Sequence, residues 1–132
     1  MFDRKMVPGQ IRWVDFGEGS DGIQGGLRPA IVSQNEKGCL FSPVVRVIPL
    51  TTRTDKAKHL PMHVLVPKTV YNGLLRDSIA LVEQETSVHK NNVGDCIGHI
   101  EDSIKYRCGL ALIMNSIDIF PPAVRETVEQ YA

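Results

Sequence analysis

An excess of charge of one sign is missing from this chain: 15 Lys and Arg balance 15 Asp and Glu over 132 residues, a formal net charge of zero. That argues against a protein that holds nucleic acid by bulk electrostatics, although it leaves room for a locally basic site. No run approaches the roughly 18 consecutive apolar residues of a membrane span. Met1 to Met6 carries charges with no apolar segment after them, so it reads as a frayed tail rather than a secretory leader. Cysteine is scarce: Cys39, Cys96 and Cys108 are odd in number, widely spaced and form no Cys-x-x-Cys pair. That spacing suggests neither a zinc site nor a disulfide framework. Reduced thiols in a cytoplasmic protein are the expectation, with no metal and no cofactor. Internal repeats and low-complexity stretches are absent as well.

What is present is ordinary for one globular domain with a real core: 42% hydrophobic and 23% charged residues. Organisation starts at Gln24-Gly25-Gly26-Leu27-Arg28-Pro29-Ala30-Ile31-Val32. A loop with two adjacent glycines passes directly into an apolar, β-branched run of strand character. Arg28 sits at the change, held extended by Pro29. There its planar donor fork suits either a phosphate or a surface ion pair. Strands are expected at Ile11–Phe16, Arg28–Gln34, Val44–Leu50 and Met62–Val66, then a long strand at Ser78–Val88 and a short one at Ile97–Ile100. Gly17 to Gly26 reads as a mobile loop, Asn35–Gly38 as a turn, Thr69–Leu74 as one helical turn and Asn91–Asp95 as a connector. Apolar residues at both parities of the second and third strands predict that both faces are covered. Ile104, Cys108, Ala111 and Leu112 make one apolar face of a helix over Glu101–Ile117, capped by Asp102 or Ser103. Pro121 and Pro122 break the chain before a last short helix. These elements predict a mainly β fold: a small, SH3-like antiparallel β-barrel with a long C-terminal helix packed on it. The divisions are a tail at 1–8, a domain at 9–118 and an extension at 119–132.

The order of short motifs is more telling than any one of them. Gly-Gln-Ile-Arg-Trp-Val-Asp-Phe leads to Gln-Gly-Gly-Leu-Arg-Pro-Ala-Ile-Val, Ser42-Pro43 and Pro49-Leu50-Thr51. Leu60-Pro61-Met62-His63-Val64, Asn72-Gly73-Leu74, Asp77-Ser78 and Glu83-Gln84 follow. The series resembles the MazF/PemK family of toxin endoribonucleases over roughly residues 9 to 115. The resemblance implies a CcdB/MazF-like barrel, a homodimer, metal-independent cleavage of single-stranded RNA, and a cognate antitoxin that blocks the RNA groove. By position, it implies that Arg28 and Thr51 are catalytic and that Glu83 is a functional carboxylate. It makes Gln24, Gly25 and Gly26 part of a loop covering the substrate. Thr52, Arg53, Lys56, Lys58, His63 and Gln84 are the further candidates for RNA contact. Ile23 stands where many members have Glu, Thr86 and His89 where many have Arg and Asp, and Gln10 replaces the usual acidic residue. Sequence preference is therefore expected to differ from that of relatives.

The chemistry fits these types. RNA carries its own nucleophile, the 2′-hydroxyl, so the protein must stabilise charge on phosphate and assist proton transfer. Arg28 suits charge stabilisation and, with its high pKa, suits proton donation poorly. Thr51 can orient an oxygen by hydrogen bonding. Glu83 is a candidate base and equally an ordinary strand carboxylate. His59, His63, His89 and His99 are other titratable groups, of which His63 lies in the most basic segment. Trp13 suits the core, a dimer interface or stacking on a base. A non-enzymatic toxin of the same barrel, like the CcdB gyrase poisons, and a plain SH3-like binding module are the alternative readings.

Overall fold

The computed structural model describes residues 5–54 and 62–131. Seven antiparallel strands form one sheet: β1 Gln10–Asp15, β2 Leu27–Val32, β3 Val44–Thr51, β4 His63–Val66, β5 Ser78–Leu81, β6 Thr86–His89 and β7 Val93–His99. Among the described residues three α-helices accompany them, α1 Glu36–Phe41, α2 Asp102–Met114 and α3 Pro122–Glu129. The strand path runs β4–β5–β3–β2–β1–β7, and β6 lies beside β3.

β3 is the spine. One edge pairs with β2. The other is divided: Val44–Val47 pair with β6, whereas Leu50 and Thr51 pair with β5. The chain must therefore leave β5, step past Ile48 and Pro49, and rejoin the same edge. It does so through a 3-10 turn at Val82–Gln84. The expected single strand over Ser78–Val88 is consequently two strands and a turn. The apolar-then-polar shift in its sequence marks the bend.

Apolar side chains at both parities give two cores, as expected. Ile11, Ile31, Ile48, Leu50, Val64, Val82 and the inner stripe of α2 (Ile104, Cys108, Ala111) form one. Val14, Ala30, Val32, Val45 and Val47 form the other, with Met6 and Cys39 of α1. Burying a sheet on both faces is what permits continuous apolar runs in β2 and β3.

Other boundaries differ for local reasons. Asn35–Gly38 begins a helix instead of turning back, because the Asn35 carboxamide oxygen caps α1 by accepting from Gly38 N at 2.8 Å. β7 starts at Val93 and absorbs most of the expected connector, pairing with β1 across irregular register. Glu101, not Asp102 or Ser103, is the N-cap residue of α2. Its carboxylate instead accepts from Thr69 Oγ1 (2.6 Å) and Asn72 Nδ2 (3.2 Å). The expected helical turn at Thr69–Leu74 is present as a Gly73 N–H bond to Thr69 O. Fully buried Asn72 organises it: Oδ1 accepts from Thr69 N and Leu74 N, and Nδ2 also donates to Pro67 O. α2 ends at Met114, and α3 opens on Pro122 as expected. The Tyr106 hydroxyl donates to Tyr131 O, tying the extension back to the outer side of α2.

Candidate active site

The two central residues lie on neighbouring strands, Arg28 on β2 and Thr51 on β3. Ala30 pairs with Pro49 and Ile31 with Ile48. The pairing ends there, and beyond it Arg28 reaches β3 through its side chain, at the carbonyl of Leu50, the residue before Thr51. Arg28 Nε donates to Gly25 O at 3.0 Å, and one terminal nitrogen donates to Leu50 O at 3.4 Å. The second terminal nitrogen has no recorded protein partner among the described residues. Partial burial lowers the guanidinium pKa from its ordinary value by desolvation, yet the group stays charged at neutral pH. Thr51 is buried, and its Oγ1 accepts from Arg53 N at 3.2 Å, so the hydroxyl hydrogen remains available to donate. The pair thus offers a charged fork and a hydroxyl donor from neighbouring strands.

The segment between β1 and β2 arches over this point. Its base is closed by Phe16 N to Gly26 O (3.0 Å) and Gly26 N to Gly17 O (2.7 Å), its tip by a Ser20–Ile23 bridge. A glycine is required at position 25 because the two arms touch there. A Cβ on Gly25 would lie 2.5 Å from Gly19 Cα, closer still to Gly19 N, and 2.9 Å from Glu18 C. Gln84 reaches the arch from the 3-10 turn, accepting from Gln24 N at 3.0 Å and donating to Gly22 O at 2.8 Å.

Beside Thr51 opens a cleft of about 500 Å³, walled by Trp13, Pro29, Leu50, Thr51, Thr52, Leu75 and Arg76 among others. Trp13 is partly exposed at this cleft, not sunk in the core. Leu75 and Arg76 carry no motif or periodicity that would single them out in sequence. Their place is set by the Asn72 turn.

The remaining candidates divide. Glu83 and His63 are turned to each other, Oε1 to Nε2 at 2.9 Å, with the His63 side chain only 6% exposed. His63 lines a groove against α2 with Arg107, Leu110 and Met114. Thr51 faces Ile79, whereas His63 faces Leu81 on the far side of β5. Two residues and two strand spacings separate them, roughly 12 Å along the sheet. Thr52 and Arg53 are exposed next to the cleft. Lys56 and Lys58, with His59, lie outside the described residues. No group of three or more metal-ligating side chains is present among the described residues. All three cysteines are free.

The model of a protein family described as PemK-like, MazF-like toxins of type II toxin–antitoxin systems matches residues 7–113. The chain belongs to this family. Endoribonuclease EndoA of Bacillus subtilis is 36% identical to this MazF-like toxin over 104 residues, 79% of this chain and 88% of that protein. Endoribonuclease MazF of Staphylococcus saprophyticus is 33% identical over 114 residues, 86% and 89% of the two chains. The fold matches MazF from Deinococcus radiodurans with a TM-score of 0.69 at 20% identity, covering 83% of this chain and 94% of that one. A mycobacterial endoribonuclease in complex with its cognate antitoxin superposes with a TM-score of 0.68 at 18% identity, covering 88% and 99%. The toxin's family match stops at residue 113, one residue before α2 ends, so α3 lies outside it. No helix among the described residues is long and apolar enough to cross a membrane.

Proposed function

We propose that this toxin is a sequence-specific endoribonuclease that cleaves single-stranded RNA without a metal ion. The ribose 2′-oxygen attacks the adjacent phosphorus and passes its proton to solvent water, the P–O5′ bond breaks, and the leaving 5′-oxygen takes a proton from water. The products are 2′,3′-cyclic phosphate and 5′-hydroxyl ends. The observation that carries this reading is the Arg28 guanidinium bonded to the carbonyl of Leu50, next to Thr51, which lines an open cleft. Arg28 supplies a fixed charge to the phosphate oxygens, whose negative charge grows in the transition state. Thr51 donates to a phosphate oxygen and so fixes its orientation. Trp13 and Thr52 meet the nucleotide in the cleft, with Arg53 at its rim. Glu83, engaged with His63 away from the cleft, is assigned no direct proton transfer.

Support comes also from the two relatives above, both named endoribonucleases. A cognate antitoxin as partner follows from the family description and from the antitoxin-bound relative. A cytoplasmic homodimer completes the proposal. Exposed Val70 and Leu75 line a groove next to the cleft and make an apolar patch suited to a second copy.

The test is cleavage of a long single-stranded RNA by purified protein in excess EDTA, with the product ends identified. Cutting that survives chelation and is lost in Arg28→Ala is the expected result. Loss of cutting in EDTA defeats the metal-free mechanism, and intact RNA under all conditions defeats the enzyme reading.

A further inference from the structure

Arg28 owes its aim to a residue outside its own hairpin. Its Nε is fixed by Gly25 O, and the position of Gly25 depends on how low the arch sits over the sheet. The arch tip is held by the primary amide of Gln84. That amide behaves as a peptide unit of an extra strand, accepting from Gln24 N and donating to Gly22 O.

Gln84 itself is anchored on both sides along the chain. Val82 is fully buried in the core under α2. Glu83 is tied to His63 of β4 at 2.9 Å. Glu85 accepts from Ser33 Oγ (2.6 Å) at the end of β2 and from Arg46 Nε (3.1 Å) on β3. Four consecutive residues therefore grip the core, β4, the arch, the end of β2 and β3. The turn cannot follow the arch, so the arch must follow the turn.

We propose that Gln84 is a positioning residue for Arg28, acting through the arch without touching RNA, with the Glu83–His63 and Glu85–Ser33/Arg46 contacts as its footing. The catalytic part of this proposal rests on the endoribonuclease reading; the mechanical part does not. A direct reader of bases would change which sites are cut. A positioning residue lowers cutting at every site together, because all sites share the phosphate that Arg28 meets. A displacement of about 1 Å at a catalytic group costs up to about 10²-fold in rate.

The experiment compares wild type with Gln84→Met, which keeps the length and packing but makes neither hydrogen bond, and with Gln84→Glu, which keeps only the acceptor. Three quantities are read: kcat and KM on a short RNA, the distribution of cleavage sites on a long RNA, and hydrogen exchange of the Gln24 backbone amide. Expected for Gln84→Met are a kcat lower by about 10- to 100-fold, little change in KM, an unchanged site distribution, and exchange at Gln24 faster by at least about tenfold. Gln84→Glu should fall between Gln84→Met and wild type in exchange at Gln24. An altered site distribution with unchanged exchange at Gln24 overturns the proposal in favour of direct contact with RNA. Wild-type kcat despite fast exchange overturns it too. If wild type cuts no RNA, the endoribonuclease reading fails, and exchange at Gln24 still decides whether Gln84 holds the arch.

Discussion

Gly25→Ala tests the link between arch and arginine with a single methyl group. The new Cβ would stand 2.5 Å from Gly19 Cα and 2.9 Å from Glu18 C, both main-chain atoms that no side-chain rotation can move aside. Reaching ordinary van der Waals separation requires the two arms to part by about 1 Å. The Gly25 carbonyl moves with its residue, so the 3.0 Å bond from Arg28 Nε stretches to about 4 Å and is lost. The guanidinium then keeps its charge but not its orientation, and a rate loss of about 10²-fold is expected. Stability should fall by no more than about 2 kcal/mol, because the arch is peripheral and its bonds are replaced by water. Gly22→Ala is the control: φ is +75° there but nothing lies within 4 Å of an added Cβ, so it carries the backbone cost of about 1 kcal/mol without prying the arms apart. The assay is kcat/KM on a fluorogenic single-stranded oligonucleotide, alongside thermal melting of each variant. A folded Gly25→Ala protein that cuts at the wild-type rate would refute the reasoning, since Arg28 would then need no restraint from the arch.

Other outcomes follow from the same geometry. Arg28→Lys preserves charge but cannot bond two carbonyls and a phosphate from one fork, so cutting should drop about 10- to 100-fold with the melting temperature unchanged; single-turnover cleavage measures it. Asn72→Ala strands Thr69 N, Leu74 N and Pro67 O, which should cost about 2–4 kcal/mol in urea denaturation. Burial pushes the Cys108 thiol up to about 11. Its folded pKa is thus raised above the unfolded value, and its contribution, complete below about pH 9, is lost as pH rises toward 11. Stability should fall by up to about 2–3 kcal/mol between pH 8 and 11, and Cys108→Ala should flatten that slope.

Much of this was legible in the sequence, and the reasons are physical. β2 and β3 announced themselves because a strand buried on both faces needs no alternation, only a run of β-branched residues. α2 was visible in the spacing of Ile104, Cys108 and Ala111. Arg28 and Thr51 became candidates through the family resemblance, and the contact that links Arg28 to β3, its bond to Leu50 O, is a tertiary one that single-strand patterns do not carry. What escaped reading depends on tertiary partners. The break at Val82–Gln84 exists because two strands share one edge of β3, and nothing in Leu-Val-Glu-Gln signals it. α1 hid in a sequence whose Asn and Gly look like a turn. Arg12 in β1 looks like an exposed strand residue, yet it is almost fully buried, donating to Gln10 Oε1, Gly94 O and Lys5 O. The role of Gln84 was equally invisible, because a glutamine clamping main-chain groups some sixty residues away leaves no local pattern.

The arch has a consequence for engineering. Every bond that shapes it uses main-chain atoms of the arch itself: Gly17 O, Gly26 N and O, the Ser20–Ile23 bridge, Gly22 O and Gln24 N. The side chains of Glu18, Ser20, Asp21 and Ile23 are exposed and take no part in that frame. The segment is a replaceable cassette whose glycines and length must stay while those four positions vary. A library randomised there should yield folded, Arg28-competent proteins at high frequency, and changes in the RNA motif they cut would come from the inserted side chains alone.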